Sequence, residues 1–146
     1  SEMLGMRLEG NEVADIGCGT GILAILASKM SAGKVLAIDI DDWSLENTKE
    51  NIETNKVSCV IVEKGGEDRL KDRAFHVILA NINRNVLVSQ MKQYSESLVN
   101  EGELLLSGFF DTDADLLLTE AEAHNFVLVN RVNQNSWCLL HLQKSK

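Results

Sequence analysis

Proline is missing from the whole 146-residue chain, where average usage of about 5% would supply several. Any chemistry built on an Asn-Pro-Pro motif is therefore excluded. Cysteine is sparse: Cys18, Cys59 and Cys138 lie far apart without a Cys-x-x-Cys pair. Neither a disulfide framework nor a zinc site follows from that spacing, and buried, idle thiols are the reading. No His/Cys/Asp cluster has metal-ligand spacing, so no metal is expected. No apolar run approaches the roughly 20 residues of a membrane helix. The N-terminus has no basic segment followed by an apolar one, so no signal peptide is read there. A soluble, cytoplasmic protein with no membrane partner is the expectation. Lys/Arg clusters are also absent, and the formal net charge is -8. Such a surface repels phosphate backbones, so no direct nucleic-acid contact is expected, and it suits a basic protein partner.

What is present is an alternation. The length fits one domain with its own core, and the hydrophobic fraction of 45% is ordinary. Short apolar runs at 13–16, 34–40, 57–62, 75–80 and 103–107 read as buried strands. Between them, 22–30, 43–55, 85–99 and 113–124 read as helices. Gly33 is the predicted cap of the first helix, Asp41 or Asp42 caps the second, and Asn100-Glu101-Gly102 turns the chain after the third. Residues 126–132 and 137–142 are β-like, joined by a loop over 133–136 as an antiparallel hairpin. This order predicts an α/β fold: a Rossmann-like, doubly wound, mostly parallel seven-stranded sheet with a C-terminal antiparallel hairpin. Ligands bind such sheets at the carboxyl ends of the strands, at the switch of strand order. The glycine loop, Asp39, the Gly65 region and Asn81 should meet there.

Gly17, Gly19 and Gly21 stand between the first strand and first helix, in Asp15-Ile16-Gly17-Cys18-Gly19-Thr20-Gly21. Glycine tolerates the backbone angles of so tight a turn and lets a ligand approach. The opening helix offers unpaired N–H groups. A dinucleotide site wants G-x-G-x-x-G, but Ile22 occupies the third glycine's place, which weakens an NAD reading. No G-K-[ST] follows, so a P-loop is excluded. Asp39 ends the second strand, where a carboxylate can accept hydrogen bonds from both hydroxyls of a ribose. Ile40 beside it offers an apolar surface to an adenine face.

The glycine run followed by Asp39 resembles the S-adenosyl-L-methionine (AdoMet) binding pattern of seven-strand methyltransferases. The runs Gly17 to Met30, Ala37 to Asn51, Ala80-Asn81-Ile82-Asn83 and Asn135-Ser136-Trp137-Cys138 resemble the bacterial ribosomal protein methyltransferase A family. That likeness covers nearly the whole chain. It implies an AdoMet-dependent N-methyltransferase domain over residues 1–146, acting on amino groups of a basic large-subunit ribosomal protein. It also implies a separate N-terminal recognition domain and a donor-covering segment, neither of which is found in these residues. Val13-Ala14-Asp15 departs from the family's Val-Leu-Asp.

The resemblance places donor binding on Asp15, Gly17, Cys18, Gly19, Thr20, Gly21, Asp39, Ile40, Asn81 and one of Glu67 and Asp68. Asn81, after the fourth strand, is also the residue implied to face the methyl acceptor as the catalytic group. Each has a plainer reading: Asn81 an Asx turn, Asp15 a carboxylate satisfied by loop N–H groups, Glu67 and Asp68 solvated loop acids, Asp39 a helix cap. Trp43, at a helix start, reads as packing, with a place beside the adenine site as the alternative; Trp137 reads as core, and His124 and His141 as isolated. A small-molecule or RNA methyltransferase on the same fold stays open, as does a non-catalytic AdoMet-binding module.

Overall fold

The computed structural model describes residues 6–145. The chain runs β1 (Glu12–Ile16), α1 (Ile22–Lys29), β2 (Lys34–Asp39), α2 (Asp42–Thr54), β3 (Val60–Lys64), a 3-10 turn (Glu67–Leu70) and β4 (Phe75–Asn81). It continues through α3 (Arg84–Ser97), β5 (Leu98–Phe110), a 3-10 turn (Asp111–Asp113), α4 (Ala114–Ala123), β6 (Phe126–Gln134) and β7 (Trp137–Lys144). The sheet order is β3-β2-β1-β4-β5-β7-β6. β7 is antiparallel to both β5 and β6, while the pairs from β3 to β5 are parallel. The doubly wound, mostly parallel seven-stranded sheet read from the sequence is therefore the observed fold.

Period-2 alternation sends successive strand residues to opposite faces, and both faces are covered. One core joins Ile16, Leu36, Ile78, Leu104 and Leu142 to Leu87, Met91 and Tyr94 of α3 and Leu117 of α4. The other joins Val13, Ala37, Val77, Leu79 and Leu105 to Ala24 and Ala27 of α1. The strand order reverses between β1 and β4, which opens a crevice over their carboxyl ends. No helix among the described residues is long and apolar enough to cross a membrane.

Several details depart from the sequence reading. Helix α1 does not end on Gly33. Ser31 takes the left-handed conformation (φ 67°), Ser31 N–H donates to Ser28 O, and Ala32 N–H donates to Ala27 O. Those two bonds make a Schellman motif. Lys56 ends α2 in the same way (φ 55°), drawing Val57 into the helix stop, so β3 starts at Val60 rather than Val57. Asp41, not Asp42, caps α2 by accepting from the Ser44 N–H at 3.3 Å. Residues 100–102 lie within the long β5 rather than in a separate turn, with Glu101 at φ 66°. The β6–β7 connection is only Asn135 and Ser136, both with positive φ (50° and 74°), the requirement of a two-residue type I′ hairpin.

Gly33 has a different task. A Cβ there would sit 2.8 Å from the Gly10 carbonyl oxygen, and its N–H donates to Asn11 O at 2.9 Å. The segment before β1 crosses β2 too closely for any side chain. Gly33→Ala should cost about 1–3 kcal/mol, since the clash is with rigid backbone. A thermal melt would read this as a fall of several degrees, and an unchanged melting temperature would refute the close-approach argument.

Candidate functional site

The loop after β1 is held from two sides. Gly17, Gly19 and Gly21 all have positive φ (71°, 57° and 82°), which is why three glycines stand there. Gly17 and Cys18 N–H both donate to Ile38 O on β2, at 2.8 and 3.0 Å. Asp39 turns its carboxylate onto the loop: Oδ2 accepts from Gly19 N–H at 3.0 Å, and Oδ1 accepts from Asp41 N–H at 3.0 Å. Each oxygen keeps a further lone pair. A Cβ built on Gly19 would meet nothing within 4 Å, so open space lies above it. Thr20 is exposed beside it. Ile40, Trp43 and Ile22, which flank Asp39 and the loop in the chain, are 73%, 75% and 68% exposed. Trp43 is thus not the packing residue expected.

Beneath the loop sits Asp15, 1% exposed. Neither of its carboxylate oxygens has a hydrogen-bond partner, so the satisfied carboxylate of the plainer reading is not what the structure holds. Burial pushes its pKa up to about 7; the Ala24 N–H in the first turn of α1, which faces the carboxylate without meeting hydrogen-bond geometry, opposes the shift, and the Asp39 charge adds to it. Cys18 is buried, and burial raises its thiol to about 11, so it stays protonated at neutral pH.

The remaining loops close the edge. Gly65 N–H donates to the Asp39 carbonyl at 3.0 Å. Glu67 is half-buried and its pKa is raised by burial and by Asp68. Asp68 is exposed and bends back, Oδ1 accepting from Gly66 N–H at 2.9 Å. Asn81 ends β4, exposed, opposite Ser107 of β5. Its neighbour Ile82 sits so close to Gly17 that a Cβ there would lie 2.9 Å from Ile82 Cγ1. Gly108 (φ 91°) forms a bulge in β5, and a Cβ on it would come 2.7 Å from Asn81 Oδ1. Past Asn81 opens a cavity of about 500 Å³, lined also by Ser107, Gln134, Trp137 and Leu139. Trp137 is 52% exposed and stacks on Phe110 with ring centroids 4.6 Å apart. It is a wall of this cavity, not the core residue expected. His141, in contrast, is buried and meets Glu103 at 2.7 Å, so it is not isolated. The four loops expected to converge do meet: Gly65 on Asp39, Asp39 on Gly19, and Gly17 against Ile82.

A family profile described as Ribosomal protein L11 methyltransferase (PrmA) matches residues 2–145. The chain belongs to that family. It is 46% identical over 141 residues to the ribosomal protein L11 methyltransferase of Porphyromonas gingivalis, covering 96% of this chain and 49% of that one. It is 44% identical over 138 residues to that of Phocaeicola vulgatus, covering 94% and 49%. The chain thus spans about half the length of the curated relatives it matches. The crystal structure of ribosomal protein L11 methylase from Lactobacillus delbrueckii subsp. bulgaricus superposes with a TM-score of 0.92 at 28% identity, over 99% of this chain and 77% of that one.

Sequence reasoning missed Thr48 and Asn51 of α2, which touch the glycine loop, and Gly108 and Trp137, which shape the cavity. Gly108 carried a signal, since glycine inside a strand marks a bulge or close approach. Thr48 and Asn51 carried none, because ordinary polar residues on an amphipathic helix read as its wet face.

The raised pKa of Asp15 fixes a pH trend. The native state keeps its proton up to about pH 7 while an unfolded aspartate loses it near 3.8. The native state therefore binds more protons between these values, and stability falls as pH rises through the window, by about 4 kcal/mol in full. Asp15→Asn should flatten that decline. Melting curves of both proteins from pH 4.5 to 8 should diverge with increasing pH in favour of the variant; parallel curves would show that the buried carboxylate carries no such penalty.

Proposed function

We propose that the chain is the AdoMet-binding, catalytic domain of a protein N-methyltransferase whose acceptor is an amino group of ribosomal protein L11. One observation carries the reading: Asp39, at the end of β2, turns its carboxylate onto the glycine loop, one oxygen accepting from Gly19 N–H and the other from Asp41 N–H, each with a lone pair left for a ligand. The residues present fit such a donor. The buried, unpartnered carboxylate of Asp15 suits the ammonium of a methionine moiety, and open space lies over Gly19. Asp39 would take the ribose hydroxyls, Ile40 the adenine face, and Glu67 or Asp68 the adenine amino group. Gly17, Cys18, Gly19, Thr20 and Gly21 would shape the floor.

When bound, AdoMet supplies an electrophilic methyl group on a sulfonium, so transfer to nitrogen needs alignment more than acid–base work. Positioning can lower such a barrier by on the order of 7–11 kcal/mol. Asn81 Oδ1 accepts an N–H of the neutral amine and orients its lone pair. The Phe110–Trp137 stack flanks a cavity that suits the methylene stem of a lysine side chain. A lysine must lose its proton first, from a pKa near ~10.4, an α-amine from near ~8, so transfer rises with pH. The net charge of -8 favours a basic protein partner. In this proposal the present chain binds the donor, and a recognition domain of the kind the family resemblance implies selects the protein.

Calorimetry should detect binding of S-adenosylhomocysteine and none of NAD; the reverse result rejects the donor class. Asp39→Ala should weaken S-adenosylhomocysteine by about 1.5–3 kcal/mol, the worth of hydrogen bonds to a charged group. Unchanged affinity would remove Asp39 from the donor site. In a methylation assay with L11 as acceptor, Asn81→Ala should depress methyl transfer at least tenfold more than Asp68→Ala does. Equal activities would strike Asn81 from the acceptor side.

A further inference from the structure

We infer that Thr48 and Asn51 of α2 are positioning residues that fix the orientation of the glycine loop for the donor; the inference rests on the donor-binding reading above. Two carbonyls of the loop, those of Gly19 and Thr20, are paired with neither strand nor helix backbone. Both are answered from α2. The Thr48 hydroxyl donates to Gly19 O at 2.9 Å, and Asn51 Nδ2 donates to Thr20 O at 2.8 Å. The three-residue spacing puts both side chains on one helix face.

Thr48 is fully buried, where a hydroxyl is costly without partners. Its single proton goes to Gly19 O, so the thiol of Cys18, 3.4 Å away, must donate to Thr48 Oγ1. The approach is close: a Cβ on Gly21 would lie 2.7 Å from Thr48 Cγ2. The far end of α2 is anchored too. Asn55 Nδ2 donates to Asn51 O at 2.8 Å, and Lys29 Nζ at the end of α1 donates to Asn55 Oδ1 at 3.3 Å.

A trans peptide points its C=O and N–H in opposite directions. With the Gly19 carbonyl turned to α2, Thr20 N–H points away from α2. With the Thr20 carbonyl turned the same way, Gly21 N–H is directed back to Cys18 O at 2.8 Å. Gly19 N–H is taken by Asp39. Thr20 N–H is thus the loop donor with no partner among the described residues, and α2 sets its direction. Such a group suits the carboxylate of the donor's amino-acid part. Asp39, Thr48 and Asn51 all come from the single β2–α2 unit, so ribose acid and loop clamp move as one piece.

The test is calorimetry with S-adenosylhomocysteine, run beside thermal melts, on the wild-type chain, Thr48→Val, Thr48→Ser and Asn51→Leu. Thr48→Val keeps the packing and removes the hydroxyl; it should weaken binding at least tenfold. Thr48→Ser restores the hydroxyl and removes the methyl; it should bind within threefold of wild type although it melts lower. That crossing of affinity and stability is what a merely structural Thr48 would not produce. Asn51→Leu, at a half-exposed position, should weaken binding at least fivefold and decides the matter if Thr48→Val does not fold. The inference is overturned if Thr48→Val or Asn51→Leu binds like wild type, or if Thr48→Ser loses as much as Thr48→Val. A wild-type chain that binds no S-adenosylhomocysteine removes the donor reading and this inference together.

Discussion

Asp39 accepts from Gly19 N–H with one oxygen and from Asp41 N–H with the other, and the geometry of the whole edge hangs on that carboxylate. It joins the end of β2 to the loop leaving β1. Through Asp41, the N-cap, it also joins the same point to the start of α2. Its own carbonyl holds Gly65 after β3. Three crossings of the sheet are therefore pinned at one residue, two through its carboxylate and one through its carbonyl. Moving Asp39 would shift the loop, the helix and the third crossing at once.

Around that fixed point the chain accepts local disadvantages. Asp15 keeps a carboxylate in the dry layer under α1 without a partner, and the Gly108 bulge interrupts the β5–β7 register. Neither feature helps the fold: a buried carboxylate without a hydrogen bond costs free energy, and a bulge breaks a ladder of hydrogen bonds. Both lie beside the crevice, one on each side of the β1–β4 divide. Departures from good packing that cluster at a ligand-sized opening mark where sequence has been chosen for a task other than stability.

Much of this is legible in the sequence. The glycine run and Asp39 carry their meaning locally, because positive φ demands glycine and a strand end demands nothing of an aspartate. The alternation of short apolar runs with amphipathic segments yields the parallel sheet by itself. What escaped was information held by other segments. Gly33 looks like a helix stop, yet its absent side chain answers to Gly10 across the chain, while Ser31 ends α1 with a backbone motif open to many residues. Val57 looks like strand, yet it closes the stop of α2. Trp137 looks like core by composition, but a type I′ turn directly before it places it at the rim. Thr48 and Asn51 take their significance wholly from a loop about 30 residues upstream.

The two tryptophans of the chain occupy opposite flanks of the crevice. Trp43, in the first turn of α2, follows Asp39 closely in the chain and is mostly bare to solvent; Trp137 leans on Phe110 at the mouth of the cavity beyond Asn81. Indole emission depends on exposure and on what quenches the ring. The protein therefore carries its own pair of optical reporters, one at the α2 side of the sheet edge and one at the cavity beyond Asn81. Replacing either indole with phenylalanine would leave a single-colour view of one flank, so that the order in which the two sides fill can be followed without any attached dye.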